Sequence, residues 1–149
     1  MLSKLNQYFE GLFEQDTSES NKEHTIELAT AVLMLEISLA DGNIDENEKH
    51  TIKALLKKEH LLNDQELDDL VKLAESEVDQ AVSLQSFTRL LTDHLNMTER
   101  VDVIKNLWRI AYSDAVIDKY EEYHIRKIAD LLYVSHADYI KAKHAADDH

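Results

Sequence analysis

The strongest constraint on the fold is the near absence of residues that interrupt helices. The chain of 149 residues contains no proline and only two glycines. Strand-rich folds need such residues at their hairpins, so this composition favours helices. Apolar residues recur three and four positions apart, and they predict helices over residues 2–13, 22–40, 46–60, 64–80, 84–95, 98–113, 119–132 and 136–144.

Capping signals support these boundaries. In each signal, a Ser, Asp or Asn side chain accepts a hydrogen bond from a backbone N–H in the first turn of the helix. The acid three residues later accepts a hydrogen bond from the backbone N–H of that capping residue. The pairs are Ser20 with Glu23, Asp45 with Glu48, Asn63 with Glu66, Asn96 with Glu99, and Ser135 with Asp138. Short connections between such helices predict an all-α fold, a compact single-domain bundle of seven to eight helices.

Within this single domain we expect three parts. Residues 1–21 form an N-terminal amphipathic helix and a polar linker that tethers it loosely. Residues 22–134 form the core, and residues 135–149 form a C-terminal helix and tail.

The charge balance excludes several classes of partner and site. The 16 basic and 30 acidic residues give a net charge of −14, which disfavours binding to nucleic acid or to anionic lipid. The absence of cysteine excludes disulfides and thiolate metal sites. The longest apolar stretch, residues 29–40, is too short to cross a bilayer, and no signal-peptide pattern is visible. The sequence therefore predicts a soluble cytoplasmic protein.

Two strongly apolar helices are each followed by a similar acidic segment, at an offset of 73 residues. In the first copy the matching residues are Ile37, Asp41, Ile44, Asp45, Glu48 and Ile52, and in the second they are Ile110, Asp114, Ile117, Asp118, Glu121 and Ile125. The chain is thus a duplicated helix–acidic loop–helix unit with extra helices between the copies. The duplication predicts a pseudo-two-fold arrangement, with the two apolar helices side by side.

Equivalent positions of these two helices carry opposite charges, Glu36 and Arg109. A charge in an apolar run is costly unless it is paired, so we predict a buried Glu36–Arg109 ion pair. The alternative is that each side chain lies on a wet edge of its own helix.

The two acidic segments resemble those of the bacterial TerB-like proteins, a family named for tellurite resistance. The first copy reads Ala-Asp-Gly-Asn-Ile-Asp over residues 40–45, followed by Glu48. The second reads Ser-Asp-Ala-Val-Ile-Asp over residues 113–118, followed by Glu121. The resemblance covers roughly residues 22–134 and departs from the family at Ala115, where glycine is usual.

This resemblance implies an all-α fold and a role in resistance to tellurite and other stresses. It implies protein partners in a membrane-associated stress-resistance complex at the inner face of the membrane. The protein would then be cytoplasmic and peripheral to that membrane. It also implies that the acidic loops bind a divalent cation, and it implies no known enzymatic reaction.

The chemistry of the acidic loops is compatible with a metal and also with helix capping. Both loops offer hard oxygen ligands that suit Ca²⁺, Mg²⁺ or Mn²⁺, and Zn²⁺ is a further candidate cation. The ligands are Asp41, Asp45 and Glu48 in the first loop and Asp114, Asp118 and Glu121 in the second. A regular EF-hand is excluded because apolar residues, Ile37 and Leu39, occupy its first two ligand positions. Capping pairs favoured by the helix dipole explain the same acids without a ligand.

An additional candidate metal ligand is His124, because Glu121 and His124 have the spacing used by di-iron bundles. Such a site needs a second Glu-x-x-His, and the chain contains no other. No nucleophile elbow, P-loop or dinucleotide fingerprint is present either, so we predict no catalytic residues. The alternative functions are a purely structural or scaffolding bundle without metal and, ranked below it, a carboxylate–histidine metalloenzyme.

Three surface features leave a structural and a functional interpretation open. The first helix is amphipathic and either packs on the body, docks a partner or binds a membrane surface. Four tyrosines serve either packing or an interface, namely Tyr120, Tyr123, Tyr133 and Tyr139. An acidic helix face is either solvated or docks a basic partner, and its members are Glu66, Asp68, Asp69, Glu75, Glu77 and Asp79.

Overall fold

The protein is all-helical in every part that the structure, a computed structural model, describes. The described residues are 4–15, 19–39, 50, 53–54, 57, 62–75, 80–113 and 119–147. They form helices α1 (Lys4–Gln15), α2 (Glu19–Leu39), α3 (Asp64–Glu75), α4 (Gln80–His94), α5 (Met97–Ser113), α6 (Lys119–Leu131) and α7 (His136–Asp147). The prediction of an all-α fold is confirmed.

Helix starts follow the predicted capping chemistry at three of these helices. At α3 the Glu66 N–H donates to Asn63 Oδ1 at 2.8 Å, and the Asn63 N–H donates to Glu66 Oε1 at 3.2 Å. The same reciprocal pair joins Asn96 and Glu99 at α5, and Ser135 Oγ accepts from the Asp138 N–H at α7. The predicted cap at Ser20 is wrong, because α2 begins at Glu19 and Ser20 lies within the helix. The predicted Asp45–Glu48 pair lies outside the described residues.

The two apolar helices of the duplicated unit are the centre of the core. Helix α2 packs against α1, α3, α4 and α5, and helix α5 packs against α2, α6 and α7. The residues of α2 from 28 to 36 are all buried, since neighbours cover the helix on every side. The prediction that the two helices lie side by side is confirmed, whereas the pseudo-two-fold relation of the complete units stays a prediction.

Helix α1 packs on the body of the protein. Leu5 and Phe9 are fully buried, and the Phe9 ring meets Phe87 of α4 edge-on at 4.8 Å. Phe13 stacks on His94, also of α4, at 4.5 Å. Helix α1 extends to Gln15 and α2 begins at Glu19, and the apolar face of α1 is buried. The predicted tether falls partly on residues 16–18, which lie outside the described residues. The packing interpretation of this helix is the correct one.

Helix α7 completes the core against α5. Tyr139 is buried with its ring 5.9 Å from that of Trp108, which is fully buried. Lys143 places its Nζ 4.9 Å above the Trp108 ring and 3.2 Å from Glu122 Oε1 on α6. This cation–π contact and ion pair hold α5, α6 and α7 together.

The turn between α6 and α7 contains a strained residue. The Val134 N–H donates to the Ala129 carbonyl and the Tyr133 N–H to the Asp130 carbonyl, which is a Schellman ending of the helix. Tyr133 occupies the position that glycine usually takes, with φ 57°. Val134 is buried behind it, whereas the Tyr133 side chain is 72% exposed.

We expect Asn96→Ala to destabilise the protein by about 1 kcal/mol, because an N–H at the start of α5 loses its acceptor. This change lowers the melting temperature by roughly 2–4 °C in a chain of this size. Thermal unfolding measures it, with Asn96→Asp as the control that keeps a capping oxygen. Equal losses in the two variants would contradict the capping role.

Tyr133→Gly should stabilise the fold by about 0.5–1 kcal/mol, since glycine adopts positive φ without the steric cost that a tyrosine bears. Chemical denaturation measures the change, with Tyr123→Gly in the middle of α6 as the control. Glycine there should destabilise by about 1 kcal/mol. A destabilised Tyr133→Gly variant would mean that the tyrosine side chain contributes to the fold despite its exposure.

Candidate functional site

The predicted acidic segments follow the two central helices in the sequence. Asp41, Asp45, Glu48, Asp114 and Asp118 lie outside the described residues, and Glu121 belongs to α6 without its side chain being described. Helix α2 leads into the first acidic loop after Leu39, and α5 leads into the second after Ser113. The assignment of these acids to a metal or to caps stays a prediction.

His124, the additional candidate ligand, lies half-buried on α6. Its ring meets that of Tyr123 edge-on, with the centroids 5.4 Å apart. In the part of the chain that the structure describes, no three histidine, aspartate or glutamate side chains are grouped so that they could hold a metal ion. The role of His124 as a metal ligand stays a prediction.

The central helices begin at the same end of the bundle. Lys22 in the first turn of α2 forms an ion pair with Glu99 in the first turn of α5, with 3.1 Å between Nζ and Oε2. From there the two helices enclose a polar cleft of about 340 Å³. Its lining residues are Glu23, Ile26 and Glu27 of α2 and Asp102, Lys105, Asn106 and Arg109 of α5.

Two acids of this cleft, Glu27 and Asp102, have pKa values above the usual range. Burial raises the pKa of Glu27, and Glu23 and Glu66 raise it further, against a lowering by His24. Burial also raises the pKa of Asp102, with Glu99 adding to the rise and Lys105 opposing it. The cleft therefore favours protonated carboxyl groups or a nearby positive charge.

The two residues of the predicted Glu36–Arg109 ion pair differ in burial. Glu36 is 3% exposed, so the wet-edge alternative is wrong for this residue. Arg109 is half-buried in the wall of the cleft, with Nη1 3.5 Å from Asn106 Oδ1 of its own helix. An ion pair between Glu36 and Arg109 stays a prediction.

A histidine on α2 that sequence reasoning missed links α2 to α3. His24 Nε2 lies 2.6 Å from Glu66 Oε2 on α3, and His24 Nδ1 lies 3.8 Å from Glu27 Oε1. On α1, burial raises the pKa of Tyr8, and the charges of Glu66 and Asp69 add to the rise. The i, i+3 spacing of His24 and Glu27 is visible in the sequence, but the contact with Glu66 needs the tertiary fold.

The acidic face of α3 is engaged by the chain itself. Asp68 accepts from Lys53 Nζ at 2.8 Å, and this hydrogen bond, together with the lysine charge, lowers the pKa of Asp68. Asp69 accepts from Gln65 at 3.0 Å, and Glu66 contacts His24. These contacts favour a locally compensated surface over a dock for a basic partner. The side chains of Glu75, Glu77 and Asp79 lie outside the described set.

These features define a class of protein: an all-helical domain built on two central helices, each followed by an acidic segment. The model of one protein family, described as tellurite resistance protein TerB, matches residues 27–144. The chain belongs to the TerB family. The match extends into α7, beyond the predicted limit near residue 134. No curated protein and no solved structure matches the chain.

The structure contains no helix long and apolar enough to span a membrane, within the residues that it describes.

Asp102→Asn and Asp68→Asn should change stability with opposite signs at neutral pH. The raised pKa of Asp102 means that its ionised form disfavours folding at neutral pH, so Asp102→Asn is stabilising there and its advantage fades on acidification. The lowered pKa of Asp68 means that ionisation favours folding, so Asp68→Asn is destabilising at neutral pH and its deficit fades on acidification.

Urea unfolding of both variants at pH 7 and about pH 3 measures these differences around the usual carboxyl pKa. Two variants that shift in the same direction at pH 7 would contradict the assigned electrostatics.

Proposed function

We propose that this TerB-family protein is a non-enzymatic interaction module in tellurite and stress resistance. Its two acidic segments bind a divalent cation, and it acts through protein partners in a membrane-associated complex on the cytoplasmic side. The observation that carries the proposal is the pair of equivalent acidic motifs, each of which follows one of two central helices that pack against each other.

The burial of the central helices supports a site at their ends. Side chains around α2 and α5 fix both helices in the core, so each acidic segment starts from a rigid support. Asp41, Asp45 and Glu48 of the first copy, and their counterparts Asp114, Asp118 and Glu121, supply oxygen ligands that suit Ca²⁺, Mg²⁺ or Mn²⁺. His124 adds a nitrogen ligand that would extend the choice to Zn²⁺.

The net charge supports a role for the cation in partner binding. At −14 the chain repels acidic partners, and a bound cation would reduce this repulsion at the loops. A partner would then meet a surface whose charge depends on metal occupancy. This arrangement makes binding of the partner sensitive to the supply of the cation.

A second candidate, a purely structural bundle without metal, is favoured by a specific observation. The same pattern of a capping residue and a glutamate three positions later forms reciprocal caps at Asn63–Glu66 and Asn96–Glu99. Asp45–Glu48 and Asp118–Glu121 share the spacing and the acid at the second position. Capping alone would therefore explain both pairs.

Thermal unfolding of EDTA-treated protein with Ca²⁺, Mg²⁺, Mn²⁺ and Zn²⁺ in turn separates the two candidates. A cation at about 100 times its dissociation constant should stabilise the wild type by roughly 2.7 kcal/mol. The double variant Asp45→Asn/Asp118→Asn should lose this gain, because each loop loses a carboxylate.

The matched control is Asp64→Asn/Asp68→Asn, which makes the same change in charge on α3, where the two acids contact Lys57 and Lys53. It should keep the gain from the cation. A wild type that no cation stabilises, with Asp45→Asn/Asp118→Asn as stable as the wild type and Asp45→Ala/Asp118→Ala less stable, would replace the metal proposal with capping, because asparagine keeps a capping oxygen and alanine does not.

A further inference from the structure

The polar cleft between α2 and α5 has the volume and the lining of a small-molecule site. Its volume of about 340 Å³ lies at the lower end of the range that ligand pockets occupy, roughly 300–1,000 Å³. Two of its carboxyl groups, those of Glu27 and Asp102, have raised pKa values, which are common in binding clefts. The proposed function makes no use of this cleft, because none of its lining residues belongs to the acidic segments.

The charges of the cleft are separated by sign. Glu23 and Glu27 lie one turn apart on α2, and Asp102 lies near the start of α5; we call these three residues the acidic part. Further along α5, Lys105 and Arg109 also lie one turn apart, and we call them the basic part. Arg109 comes seven residues after Asp102, which is roughly 10 Å along the helix axis. This order of charges matches a ligand with opposite charges at its two ends.

The acidic part favours a ligand group that carries positive charge. Burial raises the pKa of Glu27, and the charge of Glu23 raises it further. His24 opposes this rise, yet its ring nitrogens lie nearer to Glu66, at 2.6 Å, than to Glu27, at 3.8 Å. Among the residues that the structure describes, no three histidine, aspartate or glutamate side chains are grouped so that they could hold a metal ion. The acids of the cleft therefore suit an organic ammonium group rather than a metal.

The basic part and its neighbours suit the rest of such a ligand. A guanidinium group has five N–H donors and can bind a carboxylate with two of them, and Arg109 lies half-buried in the wall of the cleft. Asn106, on the same wall, adds an amide that can donate or accept. Ile26 offers apolar surface to the part of the ligand that joins its two charged groups.

We propose that this cleft binds a small zwitterion whose ammonium and carboxylate groups are separated by a short aliphatic chain. The ammonium group lies against the acidic part, and the carboxylate lies against the basic part. Specificity comes from the two ends together, because a ligand with a single charge leaves one part of the cleft without a partner of opposite sign.

NMR titration of the labelled full chain in the presence of EDTA tests this site. The probe is 6-aminohexanoate, and its two controls with a single charge are hexylamine and hexanoate. We expect the backbone amide signals of the lining residues to shift with the probe. Its dissociation constant should be about fivefold lower than that of either control, since each control loses one ion pair. EDTA removes divalent cations, so this result and the test of the cation site are independent.

Variants at the two parts of the cleft locate the binding. Asp102→Asn should weaken binding of the probe about fivefold, although we expect it to stabilise the fold at neutral pH. A merely structural residue does not produce that combination. Asp130→Asn, at an exposed position of α6, is the matched control and should leave the affinity unchanged. In the basic part, Lys105→Gln should also weaken binding, whereas Lys127→Gln, exposed on α6, should not.

Lining amides that do not shift at any soluble concentration of 6-aminohexanoate would overturn the proposal. So would hexylamine or hexanoate that binds as tightly as the probe, because the cleft would then recognise a single charge. Binding that neither Asp102→Asn nor Lys105→Gln weakens would place the zwitterion elsewhere and overturn the proposal as well.

Discussion

The packing of α2 against α5 is the contact on which the rest of the structure depends. Neighbours enclose α2 over residues 28–36, α5 packs against three helices, and the two begin together at the Lys22–Glu99 ion pair. Helices α1, α3 and α4 cover α2, while α6 and α7 cover α5. A change that separated the central pair would disrupt the cleft between them and the support of both acidic segments.

A single acid in this bundle performs two structural tasks. Glu66 uses Oε1 to accept the Asn63 N–H at the start of α3 and Oε2 to contact His24 on α2. A capping box therefore also sets how α3 lies against α2. One carboxylate can therefore cap a helix and also make a longer-range contact. For this reason the spacing of Asp45 and Glu48 alone does not show whether they cap a helix or bind a metal.

Local chemistry determined how much of the fold the sequence could predict. Helix spacing and caps depend on neighbours three or four residues away, so the helices, the reciprocal caps at Asn63 and Asn96, and the two central helices were predictable. The contacts that were missed join distant positions. His24 meets Glu66 across 42 residues, and Lys143 meets Trp108 across two helices. The positive φ of Tyr133 was also missed, because a tyrosine gives no signal for that conformation. The candidate site itself was predictable only as a list of acids. The repeat in the sequence identifies these acids, whereas their arrangement depends on the tertiary fold.

The position of Trp108 gives the chain an internal optical reporter. It is the only tryptophan in the sequence, and its indole is fully buried between α5 and α7 with the Lys143 ammonium above the ring. Indole emission shifts to longer wavelength when water reaches the ring, and the nearby ammonium perturbs it electrostatically. Intrinsic fluorescence therefore follows the docking of the C-terminal helix without any label.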